Sequence, residues 1–392
     1  MSSHALLSPS SAHRWLNCPL APRLEATLPD KTGDFAEEGT LAHSVCELTA
    51  KKYFSAMSTR TFNAEMKKLK AAKFWNDEML LTAEVYVEDL QKRAMGFENK
   101  PHIVFEVEVD ISDYVPEAFG RCDCVMFERD TLIITDYKHG KGVKVSAINN
   151  PQMMLYALGA LKLYQPVFGE AIKKIILCID QPRIDNYESW EISKDDLIAW
   201  GESIKPKAQK AFMGIGEYNA GTWCRFCKAN GVCKAQADSQ IKAFDDFKDV
   251  IAEKNSDTLT PEQIGEALQK GETLIAWYEA LQKTALEKLL NGYEIPGFKV
   301  VEGRSVRAWT NQDEALETLQ KAGIERAVIY DSVPKSLAQL EKILGVAKFA
   351  ELVGTYVIKP SGKPTLAKAS DKRPVFNSAV ADFANVAPKG GE

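Results

Sequence analysis

The stretch GRCDCVMFERDTLIITDYK, residues 120–138, decides the fold. Residues 121–127 read as one strand, Glu128-Arg129-Asp130 as a tight turn, and 131–137 as a second strand whose β-branched run expects burial on both faces. Paired as a hairpin, the strands bring Asp123 close to the end of the second strand. There Asp136 and Lys138, two residues apart, leave the same face. Two carboxylates and one ammonium then converge at strand ends. Carboxylate oxygens are hard donors that suit Mg²⁺ or Mn²⁺. A divalent ion held there can polarise a phosphodiester and lower the pKa of an attacking water. Lys138 can orient that water or neutralise charge developing on phosphate. An isolated D-x-K pair is more often a surface ion pair worth under ~1 kcal/mol, so its companions decide the chemistry. Cys122 and Cys124 flank Asp123, and alternation sends both to the opposite face as core residues.

Upstream of the hairpin, Phe105, Val107, Val109 and Ile111 alternate with Glu106, Glu108 and Asp110, a half-buried strand. Before that, residues 36–56 and 75–95 carry the three-and-four spacing of helices. Downstream, Gly140 and Gly142 break the pattern, Pro151 opens a helix to about Tyr164, and KKIILCID at 173–180 is a buried strand. Helix, three-strand meander, helix, strand is an α/β order whose last crossover implies a mixed sheet flanked by helices. A cysteine-rich stretch follows at 221–237, then an amphipathic helix over roughly 261–291 ended by Asn291-Gly292. A β-segment at 297–309 is interrupted at Gly303, and helices are expected near 311–322 and 336–350. The last residues, rich in Pro, Lys, Gly and Ala, are expected to lack fixed structure. This divides the chain into a region 1–240, a C-terminal α+β extension 241–358, and a flexible tail 359–392.

At 392 residues, 45% hydrophobic and 26% charged, the composition is that of an ordinary globular protein of two or three domains. No apolar run approaches the ~20 residues needed to span a bilayer, and the first residues lack the basic and apolar regions of a secretory signal. A cytoplasmic location without membrane partners is therefore expected, in which closely spaced thiols read as metal ligands or core residues before disulfides. The net charge of −5 neither supports nor excludes nucleic acid. Lysines do cluster locally, at 67, 68, 70 and 73, at 138, 141 and 144, and at 205, 207 and 210.

Four pieces, in order, resemble the RecB-like branch of the PD-(D/E)XK nucleases: Gly39-Thr40-Leu41-Ala42-His43, Gly120-Arg121-Cys122-Asp123, Asp136-Tyr137-Lys138, and Gln152 with Tyr156 four residues on. The resemblance covers roughly residues 36–160. It implies a restriction-endonuclease-like core in which His43, Asp123 and Asp136, with the backbone carbonyl of Tyr137, ligate Mg²⁺ or Mn²⁺. Lys138 would be the catalytic lysine, and Gln152 and Tyr156, on one helix face, would contact DNA or brace the site. An imidazole ligand favours Mn²⁺ over Mg²⁺. Without the family pattern, His43 reads as a helix histidine paired with Glu47. After the lysine the family often continues Thr-Gly, whereas this chain has His139-Gly140-Lys141-Gly142.

Cys224, Cys227 and Cys233 lie in one short segment. Three thiolates do not complete a tetrahedral sulfur site, and Cys18 is the candidate fourth. The other four cysteines, 46, 122, 124 and 178, sit in apolar patterns and read as buried. Ligand type alone leaves zinc and iron–sulfur open. A lone cysteine before the core and C-x2-C-x5-C after it resembles the iron–sulfur nucleases, including AddB and the CRISPR-adaptation nucleases. This implies a 4Fe–4S cluster stapling the two ends of the nuclease region, with zinc the alternative. The layout also resembles an uncharacterised family of phage and prophage proteins. That likeness implies a deoxyribonuclease, exonuclease rather than endonuclease, working on DNA in phage replication or recombination inside a bacterial host. A recombination or single-strand-binding protein would be its partner, with oligomeric state left open.

Two other classes compete with this reading. A non-catalytic DNA-binding or recombination-partner protein on a nuclease scaffold predicts a damaged metal site, yet every expected ligand is present. A metal–thiolate redox protein predicts a readily cycled cluster and no metal-dependent cleavage.

Overall fold

The computed structural model describes residues 5–29, 34–168, 171–252, 260–303, 308–329, 337–358, 364–368 and 374–376. The chain divides into two compact units, Met1–Trp277 and Tyr278–Glu392.

In the first unit, short helices α1 (Ala12–Asn17) and α2 (Ala21–Ala26) precede α3 (Asp34–Phe54), α4 (Thr59–Lys70) and α5 (Glu78–Met95). Then come β1 (His102–Asp110), β2 (Phe119–Glu128) and β3 (Thr131–Tyr137), α6 (Pro151–Phe168), β4 (Lys174–Gln181) and β5 (Asn186–Ser193). Next in the chain are α7 (Lys194–Met213), α8 (Lys234–Ala252) and the long α9 (Pro261–Leu290), within which the division between units falls. The strands form one sheet in the order β1-β2-β3-β4-β5. β3 and β4 run parallel and every other pair antiparallel, so the sheet is mixed as expected. The parallel step needs a crossover, and α6 supplies it. Pro151 occupies the first helical position, where its missing N–H costs nothing, and Asn150 Oδ1 caps the helix by accepting from the Gln152 N–H at 3.1 Å. Between β2 and β3 the turn places Arg129 at φ 51°, a left-handed position uncommon for a side chain of its kind.

Helices cover both faces of the sheet. One layer packs α1, α6 and α7 on Val125, Phe127, Leu132 and Ile134. The other packs α3, α4 and α5 on Cys124, Met126, Ile133 and Tyr137. The β-branched run of β3 thus feeds both cores, each fully buried Leu or Ile contributing about 1.5–3 kcal/mol. β5 and α7 extend the expected order beyond 173–180. Their signals are the alternation of Trp190 and Ile192 with Ser189 and Glu191, and the Ser193 side chain, which accepts from the Asp196 N–H to cap α7. α4, also absent from the sequence reading, is capped in the same manner by Ser58.

The two cysteines flanking Asp123 correct a simple expectation. Cys122 belongs to the α6–α7 layer and Cys124 to the α3–α5 layer, so they do not share a face. On the neighbouring strand, Phe105 packs in the α3–α5 layer and Val107 in the other. The register is the same on both sides, Phe105 opposite Cys124 and Val107 opposite Cys122, with Glu106 and Asp123 the one level between them that forms no ladder pair. Between them Glu106 takes φ 52°, the left-handed region. That one residue turns the strand over, β2 follows, and the alternation resets at the Glu106–Asp123 level.

In the second unit β6 (Phe298–Glu302) pairs with β9 (Pro364–Lys368), and β7 (Ala308–Trp309) with β8 (Val357–Ile358). Helices α10 (Gln312–Lys321), α11 (Arg326–Ile329), α12 (Leu337–Leu344) and α13 (Val346–Val353) enclose a small core around Leu316, Leu319, Leu340 and Phe349. The helix expected over 336–350 is broken by Gly345, at φ 83°. Residues 364–368, placed in the expected tail, are instead a paired strand. Of the lysines in the expected tail, Lys359, Lys363 and Lys372 lie outside the described residues. Among the described residues no helix is long and apolar enough to cross a membrane.

Candidate metal centre

The end of β3 organises a polar network in an apolar setting. Asp136 is 3% exposed, and its Oδ2 lies 2.7 Å from Lys138 Nζ. Lys138 also donates to Gln152 Oε1 at 3.1 Å, while Gln152 Nε2 donates to Asp136 Oδ1 and to the Tyr156 hydroxyl, each at 3.1 Å. Gln152 and Tyr156 therefore do stand on one helix face; Gln152 ties the acid to the lysine, and its amide also donates to the Tyr156 hydroxyl. Burial alone would discharge Lys138; the Asp136 carboxylate reverses this and holds the ammonium above its ordinary pKa. Burial pushes Asp136 up, against the pull of Lys138.

Asp123 sits on β2 beside this pair. Its Oδ2 accepts from the Tyr137 N–H at 2.7 Å, and its Oδ1 lies 3.3 Å from His43 Nδ1 on α3. Tyr137 reaches the centre through its backbone, because its ring is buried in the α3–α5 layer and its hydroxyl meets Thr82 at 2.9 Å and His139 Nδ1 at 3.0 Å. His139 turns away to Glu38, and Lys141 pairs with Glu78 at 3.2 Å. The alternative pairing of His43 with Glu47 does not occur, since Glu47 is taken by Lys51.

Sequence reasoning missed Glu106. Among the described residues, His43, Glu106 and Asp123 are the one group of three His, Cys, Asp or Glu residues whose ligand atoms all lie within 4.8 Å of one another. Nothing in the alternating Phe105–Ile111 pattern distinguishes Glu106 from Glu108. The signal is conformational, the left-handed φ that breaks the strand's alternation. Burial, with the Asp123 and Glu47 carboxylates nearby, pushes Glu106 up to about 7. At His43 burial works downward, but Asp123 outweighs it and the imidazole rises to about 9. The three groups thus perturb one another's protonation. An open cavity of about 390 Å³ lies over the three, lined also by Gly39, Thr40 and Arg121.

A larger groove of about 680 Å³ runs from Lys138 and Gln152 towards the cysteine segment. Its cations are Arg14 and Lys138, paired with Glu25 and Asp136, together with Lys144 and Arg225, and among the described residues no Asp or Glu lines it. Trp223 and Phe226, the latter 68% exposed, present aromatic surface to the same groove.

Cys18, Cys224, Cys227 and Cys233 all line one small cavity. The Asn219 N–H donates to Cys18 Sγ and the Gly221 N–H to Cys224 Sγ, both at 3.4 Å. Arg14 pairs with Glu25 at 2.8 Å and donates to the Phe226 carbonyl, and Glu25 accepts from the Lys228 N–H at 2.9 Å. These bonds tie the N-terminal helices to the cysteine loop some two hundred residues later. Asn230 Oδ1 and Gln236 Oε1 are buried without partners, and both residues line this cavity. Burial and the nearby Glu25 carboxylate push Cys227 up to about 12, so a bound metal would have to displace its proton. Cys46, Cys122, Cys124 and Cys178 are buried in the two cores, away from this set.

The family model described as protein of unknown function (DUF2800) matches residues 4–374, and the chain belongs to that family. A solved structure titled "Crystal structure of SSO0001" is similar at 17% identity over 51% of this chain and 98% of that one, with a TM-score of 0.25. So slight a likeness bears on neither fold nor function.

Proposed function

We propose that this DUF2800 chain is a metal-dependent DNA nuclease of the RecB-like PD-(D/E)XK type, acting as an exonuclease in DNA replication or recombination of the phage kind. The observation that carries the reading is the single strand end at which a His–carboxylate donor set, His43 and Asp123, adjoins the buried Asp136–Lys138 pair. A hard-donor set with one imidazole fits Mn²⁺ or Mg²⁺. The ion, when bound, would polarise the scissile phosphate and supply a hydroxide-like water. In this reading His43, Asp123 and Asp136, with the Tyr137 carbonyl, hold it. Lys138, kept charged by Asp136, sets the water's orientation and offsets charge on the phosphate. Gln152, anchored on Tyr156, keeps Lys138 from swinging away. The carboxylate-free groove gives the DNA backbone a path to the centre, and Trp223 and Phe226 offer faces on which unpaired bases can stack.

The four cysteines fit a metal–sulfur group, since they share one cavity, two of their sulfurs accept backbone N–H groups, and unpartnered amide groups adjoin them. The resemblance to iron–sulfur nucleases favours 4Fe–4S over zinc, and iron and sulfide analysis of anaerobically purified protein separates the two. A structural staple is sufficient; no redox step is required.

The reading is tested with end-labelled linear and circular DNA, given Mn²⁺ or Mg²⁺. Ladders from linear DNA alone support an exonuclease, and cut circles would convert the proposal to an endonuclease. No metal-dependent cleavage of any substrate, with the metal–sulfur group intact, leaves the non-catalytic scaffold in its place.

A further inference from the structure

We propose that Glu106 is a further protein ligand of the divalent ion, beside His43 and Asp123. This rests on the reading of the strand end as a metal centre, though not on the reaction performed there.

Three observations carry it. The ligand atoms of His43, Glu106 and Asp123 lie within 4.8 Å of one another, a set to which Asp136, occupied by Lys138 and Gln152, does not belong. Glu106 owes its aim to a left-handed backbone in mid-strand, φ 52°, a conformation that costs of order 1 kcal/mol or more and persists only where the surroundings impose it. Finally, the three residues share an open cavity of about 390 Å³, and a Cβ built on Gly39 at its edge would meet nothing within 4 Å. The groups facing Glu106 are His43, its ring nitrogen within 4.8 Å, Arg121, 3.9 Å away and 65% exposed, and Asp123, which adds like charge. A divalent cation relieves that repulsion, and one nitrogen among oxygens favours Mn²⁺ over Mg²⁺.

The test is Mn²⁺ titration, read by electron paramagnetic resonance, of wild type, Glu106→Gln and Glu106→Asp, with melting curves in the absence and presence of Mn²⁺. Glu106→Gln is expected to weaken Mn²⁺ at least ten-fold and to shrink the Mn²⁺-induced rise in Tm, while the metal-free Tm stays level or rises as like charge is removed. Wild-type affinity in Glu106→Gln overturns the inference. Should Glu106→Gln melt lower without metal, Glu106→Asp decides, since it keeps the charge but shortens the reach. A ten-fold loss there sustains the ligand role and an unchanged affinity overturns it. The two claims fail separately: Glu106-dependent Mn²⁺ binding without DNA cleavage keeps this inference and sinks the nuclease, whereas cleavage with Glu106-independent binding does the reverse.

Discussion

Lys138 is bound at once to Asp136 and to Gln152, in a position where burial would otherwise strip its charge. Its role in the proposed reaction is electrostatic, so truncation should slow the chemistry without emptying the metal site. Lys138→Ala is expected to lose about 10²–10³-fold in cleavage rate while binding Mn²⁺ at least as tightly as wild type. A loss of Mn²⁺ affinity instead would assign Lys138 a structural duty. The titrating groups give a second expectation. Glu106 is raised to about 7 and His43 to about 9, both above their ordinary values. A group whose pKa is raised by folding stabilises the native state below its unfolded value, and that gain is lost as pH rises through the folded one. The metal-free protein should therefore melt at a lower temperature near pH 9 than near pH 5.5. Mn²⁺ affinity should rise over the same interval, because the ion needs a charged carboxylate and a neutral imidazole. An affinity that is flat in pH would contradict these assignments. Most of this centre was legible at the level of single residues, for His43, Asp123, Asp136, Lys138, Gln152 and Tyr156 do converge. Glu106 was not, because sequence reports alternation and cannot report the one φ that breaks it.

Elements explain why some of these residues are where they are. A Cβ at Gly120 would come within 2.7 Å of the Tyr156 ring and of Pro9. The glycine of the β2 segment and the tyrosine of α6 are thus one packing unit, and the tyrosine in turn receives the Gln152 hydrogen bond. Gly120→Ala should displace Tyr156 at a cost of ~1–3 kcal/mol, seen as a lowered denaturant midpoint. An unchanged midpoint would mean that Pro9 and Tyr156 move aside freely. The groove belongs to this scale too, being assembled from α1, the loop after β3, the start of α6 and the cysteine segment. Charge reversal at Lys144 and Arg225 should weaken oligonucleotide binding measured without cleavage. It should also flatten the salt dependence by roughly one unit for each phosphate no longer neutralised. Binding that ignores both changes would move the nucleic-acid path elsewhere. The hairpin 121–137 and the α6 crossover were readable from period and turn chemistry. β5 and α7 were missed although Trp190, Ile192 and the Ser193 cap carry their signals, and the 336–350 helix was drawn through a glycine that ends it.

At the scale of the whole chain, the cysteine cavity joins α1–α2 to residues 219–236 across the entire sheet domain. A metal–sulfur group bound there would close a loop of about two hundred residues and, on chain-entropy grounds, should be worth on the order of 5 kcal/mol. Cys18→Ser is expected to lose bound metal and melt well below wild type. An unchanged Tm with metal lost would show that the Arg14–Glu25–Lys228 contacts suffice. The sequence suggested this long-range pairing only through spacing and resemblance, because hydrogen bonds such as Asn219 to Cys18 leave no local trace. The C-terminal strand at 364–368 was hidden for the same reason, since its partner lies more than sixty residues earlier. Metal-dependent phosphodiester cleavage at the end of β3 is the proposal on which the nuclease reading depends. Mn²⁺ binding and DNA cleavage, measured on the same preparations of wild type and Lys138→Ala, probe it with the fewest intervening steps. The expected result is Mn²⁺ bound by both proteins and DNA cut about 10²–10³-fold faster by the wild type. Equal cleavage by both, or none by either with Mn²⁺ bound, would contradict it.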